Sequence, residues 1–216
     1  MALRILYSLI WISFTLYAFV LAPPTQPDTF ELIQDLSLLH WDEINPWIIS
    51  LFNGMGLWPM VYCALLFRDG QRQSLRAWPF AIASFFIGAF AILPYLALRN
   101  SSPDQAISDS APIKFWESRI LGLLISLGFM VLLGYGLLEG NWSAFGSQWS
   151  GDRFIHIMGL DFCLLSILAP SLTLSDRELR ATTWPLWVDF IPVIGVLLYL
   201  CLRPTSIDQA AMSDAP

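Results

Sequence analysis

The chain has 216 residues, of which 56% are hydrophobic and 13% charged, and its formal net charge is −6. A soluble domain carries about twice that share of charged side chains and far fewer long apolar runs, so a globule with water on every side is excluded. The bases are few and scattered, which excludes the clustered Lys and Arg of a nucleic-acid footprint.

A bilayer core about 30 Å thick is crossed by roughly 20 apolar residues in a helix. Six stretches approach that length, at 3–21, 46–67, 77–98, 120–138, 154–174 and 184–202. Each is continuously apolar, whereas a membrane β-barrel would read as short alternating segments. The expected fold is therefore an all-α integral membrane protein of about six transmembrane helices.

The first run, with Arg4 ahead of it and Val20-Leu21-Ala22 at its end, has the outline of a signal peptide. Pro23 suits a cleavage site poorly and the run is longer than a usual signal core, so it is read as a retained span. The connection 22–45 holds Asp28, Glu31, Asp35, Asp42 and Glu43 but no Lys or Arg. Its middle, 30–41, reads as a short helix lying at the interface. Arg68, Arg72 and Arg76 follow the second run, and the positive-inside rule then places the N-terminus inside. With six crossings the complete count of bases is nearly even. Arg4, Arg68, Arg72, Arg76, Arg153 and Arg203 would face in, and Arg99, Lys114, Arg119, Arg177 and Arg180 out.

Residues 100–115 form a Ser-, Pro- and Asp-bearing linker between a first three-helix unit, 1–99, and a second, 116–204; residues 205–216 read as a flexible tail. The units echo each other in order. Arg4-Ile5-Leu6 recurs as Arg119-Ile120-Leu121, Gly56-Leu57 as Gly159-Leu160, and Trp78-Pro79 as Trp184-Pro185. Tyr95 through Arg99 recurs as Tyr199 through Arg203. Three crossings per unit would make the repeat inverted, an arrangement many transporters share. The enrichment of Trp and Arg at membrane-helix ends produces some of these matches by itself.

Polar side chains at membrane depth are costly, so each is a candidate for function. Asn53, His156, Asp161 and Asp189 qualify. Asn53 and Asp189 lie at similar depths from one face and would meet if their helices were neighbours. Asp161 is the deepest acid and has no cationic partner in the apolar runs. It reads as a neutral acid hydrogen-bonded to a neighbouring helix, with a proton or cation path as the alternative. His156 reads as an interfacial histidine beside Asp152 and Arg153, with a pigment or haem ligand as the alternative. Pro59, Pro170 and Pro192 interrupt three runs, and such kinks can shape a ligand cavity.

Cys63, Cys163 and Cys201 lie within apolar runs without close spacing, and read as packing residues rather than disulfide or metal partners. Motifs for metallohydrolase, serine-hydrolase and phosphate-loop chemistry are missing, so no catalytic residue and no metal site are expected. Arg68-Asp69-Gly70-Gln71-Arg72 has the beginning of the Asp-Gly motif of phosphatidyl-alcohol transferases, but 77–98 lacks the further aspartates that motif needs.

The stretch from Asn45-Pro46-Trp47 to Arg99, with Gly-Leu-Trp-Pro, Leu-Leu-Phe-Arg-Asp-Gly and Leu-Pro-Tyr-Leu-Ala-Leu-Arg, resembles a group of uncharacterised multi-pass membrane proteins of cyanobacteria and plastids. The second half, 154–203, is similar to the same group. The resemblance implies a photosynthetic organism and a thylakoid or plasma-membrane location, and it brings no catalytic residues. No cofactor is required by the sequence, though contact with chlorophyll or carotenoid is compatible with it. The expected partners are the lipid bilayer and subunits of a larger membrane complex. The leading expectation is a non-enzymatic scaffold, accessory or assembly protein. Its motivation includes Gly122, Gly128, Gly134 and Gly136, which permit close helix packing. The alternative is a small transporter or channel with a site between the halves.

Overall fold

The computed structural model describes residues 1–100, 110–180, 182 and 185–204. All elements among them are helical, and four helices are long and apolar enough to cross a membrane. The first is α1, Ala2–Leu16, extended by a π-helical turn, Tyr17–Leu21. The others are α3 (Pro46–Asp69), α7 (Arg119–Glu139) and α9 (Arg153–Arg180). Their starts follow from local chemistry. The Asn45 side chain accepts from the Trp47 N–H at 3.1 Å ahead of Pro46, and Ser118 Oγ accepts from the Ile120 N–H at 3.2 Å. Asp152 Oδ1 accepts from the Phe154 N–H at 2.7 Å to open α9. Pro59 and Pro170 sit inside continuous helices rather than interrupting them.

Two of the six expected crossings take another form. The run 77–98 is broken at Gly88 into α4 (Trp78–Ile87) and α5 (Ala89–Leu98). These lie against each other as a hairpin, with Phe80 and Tyr95 ring to ring at 5.5 Å and the Ser74 N–H bonded to the Asn100 carbonyl at 3.1 Å. The chain thus turns back to the end from which it came. The last run behaves alike. A short helix α10 (Leu186–Asp189) turns at Pro192-Val193 into α11 (Ile194–Leu202), which ends beside the Asp176 carboxylate near the end of α9. The physical cause is conformational. Gly88 has φ +50° and Val193 φ +63°, values that stop a right-handed helix.

The hairpins correct the inverted arrangement. Each half holds two long helices and a hairpin, so both halves start at the same end of the bundle. Arg4 at the start of α1 donates to the Ala97 and Leu98 carbonyls closing α5, at 2.9 and 3.0 Å. Arg119 at the start of α7 donates to the Arg203 carbonyl after α11, at 3.1 Å. At the opposite end Asn45 meets Asn141, and Arg153 meets Pro23 and Pro24. The halves therefore run parallel.

Connections shape both ends. The interfacial helix expected near 30–41 is α2, Thr29–Leu38, which buries Leu36 among Ile48, Ile49 and Ile155. The described part of the linker is not featureless. It forms α6, Ala111–Glu117, with Glu117 buried, while the rest of 100–115, residues 101–109, and the tail lie outside the described residues, as does Trp184. A helix α8, Trp142–Gly151, joins α7 to α9. The core gathers Trp58, Tyr62, Leu65, Leu165, Leu168 and Leu172 between α3 and α9, where the Tyr62 hydroxyl donates to the Leu165 carbonyl at 2.7 Å. Gly122 rests on the Leu200 carbonyl, Gly128 on Leu57 and Gly136 on Trp47, so three of the four small residues of α7 serve packing inside this chain.

A Cβ at position 88 would collide with the Asp161 carboxylate, and the positive φ adds strain. Gly88→Ala should therefore lower unfolding free energy by about 2–4 kcal/mol, measured by reversible denaturation in mixed micelles. The control Gly134→Ala, where a Cβ meets open space, should be neutral or slightly stabilising.

Candidate functional site

Asn53, His156, Asp161 and Asp189 do not converge. Asn53 sits on α3, where its amide donates to the Ile49 carbonyl of its own helix at 2.9 Å. Asp189 pairs with Arg177 near the other end of the bundle, so the expected meeting of Asn53 and Asp189 is replaced by this ion pair. The reason is the first hairpin: because 77–98 turns back at Gly88, α9 finishes at the end away from Asn53, and Asp189 follows shortly after it. His156 is buried in the first turns of α9. Its Nε2 bonds the Tyr17 hydroxyl at 2.7 Å, its Nδ1 the Trp149 carbonyl at 2.9 Å, and Trp149 lies over the ring at 4.1 Å. Both ring nitrogens are therefore engaged, and His156 ties the end of α1 to α9.

Asp161 occupies the most distinctive position. It is 5% exposed, and its Oδ1 accepts from the Ala89 N–H at 2.8 Å. That N–H opens α5 at the hairpin turn, in the middle of the bundle. A helix start leaves its first N–H groups without intrahelical acceptors, and its dipole favours a carboxylate oxygen there. Among the described residues no cation pairs with Asp161; a backbone N–H from a neighbouring helix bonds it instead.

Beside it lies a cavity of about 900 Å³, reaching from the hairpin turn toward the start of α9. Phe52 and Gly56 of α3, Phe85 and Phe86 of the hairpin, and Phe154 and Ile157 of α9 form its walls, with Asp161 and Arg153 toward its two ends. The void is a direct result of the hairpin. A full crossing at 77–98 would have continued through this space, and the chain turns back at Gly88 instead. Phe19 and Phe86 at its rim are 74% and 85% exposed, so the cavity opens sideways from the bundle.

The opposite end carries a buried ion lattice. Glu117 of α6 takes Arg68 from α3, with Nε at 2.9 Å, and Arg180 from α9. Arg180 Nε also meets Asp176 at 2.9 Å, and Asp176 receives Arg203 at 3.1 Å and the Tyr199 hydroxyl at 2.8 Å. Nearby, Arg99 after α5 pairs with Asp69 at 3.0 Å. The lattice thus gathers both hairpins, α3, α6 and α9. Its residues lie at the margins of the apolar runs, which is why hydropathy placed them in separate loops. The signal available in the sequence was the pairing of opposite charges at the ends of runs, Arg68-Asp69 and Asp176-Arg177, with Arg99 and Arg203 closing the hairpins.

Among the described residues no group of three or more His, Cys, Asp or Glu could hold a metal ion. No protein-family model, curated protein or solved structure matches the chain.

Breaking one partner of a buried ion pair leaves an uncompensated charge. Glu117→Gln should lower stability by about 3–5 kcal/mol, seen as a fall in the thermal unfolding midpoint in detergent. Asp35→Asn, at the exposed pair with His40, should leave the midpoint unchanged.

Proposed function

We propose that the chain is an integral membrane protein that acts without catalysis, as a scaffold, accessory or assembly component of a larger membrane complex. Four long helices would cross the bilayer, and the two hairpins would enter it from one side and leave on the same side. The distribution of charge supports this topology. Arg153 lies at one end of the bundle with Asp28, Glu31, Asp35, Asp42, Glu43, Glu139 and Asp152, while the other ten of the eleven Lys and Arg lie at the end where the hairpins emerge. Six crossings would have left the bases nearly even; four crossings with two hairpins give ten against one, and the positive-inside rule puts the N-terminus inside.

The observation that carries the scaffold reading is the outward surface of α1 and α7. Leu3, Leu9, Leu16, Leu123, Leu127 and Val131 are all exposed, so these two helices spend little of their apolar surface on this chain. Such faces suit lipid and the helices of a companion subunit equally. The ion lattice braces the bundle at one end, as a fixed docking unit needs. A transporter reading draws on Asp161 at its half-helix and on the cavity. Against it, any route from Asp161 to the basic end would have to pass the packed core of Tyr62, Leu65, Leu165, Leu168 and Leu172. A photosynthetic membrane as the setting rests on the sequence resemblance.

Two measurements test this reading. In a background whose three cysteines are replaced by alanine, Ser74→Cys and Asn100→Cys should react with an impermeant thiol reagent from the same face of sealed vesicles, and Ser37→Cys from the other. Labelling of positions 74 and 100 from opposite faces would restore a full third crossing. Purification of the full chain from its native membranes in mild detergent should bring down a companion subunit at fixed stoichiometry; recovery of the chain alone would remove the scaffold reading.

A further inference from the structure

The cavity under the Gly88 turn is apolar everywhere except near its ends, and one of its polar groups is uncommitted. Asp161 is 95% buried by its 5% exposure, and Oδ1 is bound by the Ala89 N–H. Among the described residues the carboxyl's one hydrogen bond is that from the Ala89 N–H to Oδ1, and Oδ2 keeps accessible surface on the cavity. A carboxyl oxygen accessible on an otherwise apolar wall can take a hydrogen-bond donor that enters the cavity. The neighbouring Ser84 hydroxyl does not supply the missing donor, since it donates to the Ala81 carbonyl at 2.7 Å. A purely hydrocarbon occupant would leave Oδ2 dry.

We propose that this cavity is a binding site for an apolar molecule bearing a hydroxyl group, an aromatic or long-chain alcohol, whose O–H bonds Asp161 Oδ2. Three features define the ligand class. The volume, about 900 Å³, is that of a site for a molecule of drug or lipid size. Phe19, Phe52, Phe85, Phe86, Phe90 and Phe154 line it, giving ring edges and faces for a flat or branched apolar body. The sideways opening lets a molecule dissolved in the hydrocarbon of a membrane enter without passing through water. A hydroxyl donates to Oδ2, which an ether oxygen cannot do. Asp161 lies eight residues beyond Arg153, about 12 Å along α9, so the hydroxyl would sit deep and the apolar body would extend toward the rim. This site is independent of whether the chain docks on a partner.

The test uses the purified full-length chain in a mild non-ionic detergent, with 4-octylphenol and its methyl ether 4-octylanisole as probes, and native mass spectrometry as the readout. The phenol should be retained about tenfold better than the ether, the ratio one hydrogen bond supports. Asp161→Asn keeps an oxygen for the Ala89 N–H and presents an amide N–H that serves either probe, so the ratio should fall to near one. Gly56→Phe places a ring on the cavity wall from a position where a Cβ meets nothing within 4 Å, and should weaken retention of both probes severalfold while the unfolding midpoint is maintained. Equal retention of phenol and ether by the parent protein, or undiminished binding in Gly56→Phe, would overturn the proposal.

Discussion

The bond from the Ala89 N–H to Asp161 Oδ1 decides where the chain turns inside the bundle. Where no water reaches, a free backbone N–H is expensive, and a helix that starts in the middle of an apolar region exposes several at once. A carboxylate from α9 supplies the acceptor, and Gly88 supplies both the positive φ and the room for that carboxylate to approach. The second hairpin meets the same requirement with a hydroxyl: the Val193 N–H donates to Ser166 Oγ at 3.2 Å. Both acceptors belong to α9, five residues apart, so one long helix anchors the turns of both hairpins.

From those turns the other features follow in order. Chains that turn back bring their closing arginines, Arg99 and Arg203, to the end where α3 and α9 finish. There they find Asp69 and Asp176. The lattice around Glu117 then draws in Arg68 and Arg180. Buried ion pairs add little net stability compared with good apolar packing. What this lattice contributes is geometry, because each carboxylate has few places where its guanidinium partners can be satisfied. The first turn also borders the Phe-lined cavity beside Asp161.

The four long helices were legible, since 3–21, 46–67, 120–138 and 154–174 fall within the segments found, although two of these run on by five and six residues, to Arg72 and Arg180. Their apolar runs and capping residues act locally, and local signals survive in sequence. The hairpins were not legible as such. A run of 22 apolar residues has the length of one crossing, and hydropathy does not distinguish a glycine that breaks a helix from one that packs inside it; the deciding bond joins Ala89 to Asp161, 72 positions away. Asp161 itself stood out as an unpaired acid at depth, whereas Glu117 was hidden at the edge of a polar linker. The internal echo of the halves was visible, but its orientation depended on counting crossings, so the error over the hairpins carried through to it.

The dependence of both turns on α9 has a consequence for biosynthesis. Chains are made from the N-terminus onward, so the first hairpin is complete before any residue of α9 exists. Until Asp161 arrives, the Ala89 N–H lacks the acceptor that α9 gives it, and the turn at Gly88 rests on the contacts of α4 and α5 with each other and with α1. The turn of the first hairpin therefore gains its last contact only when the second half of the chain has been made.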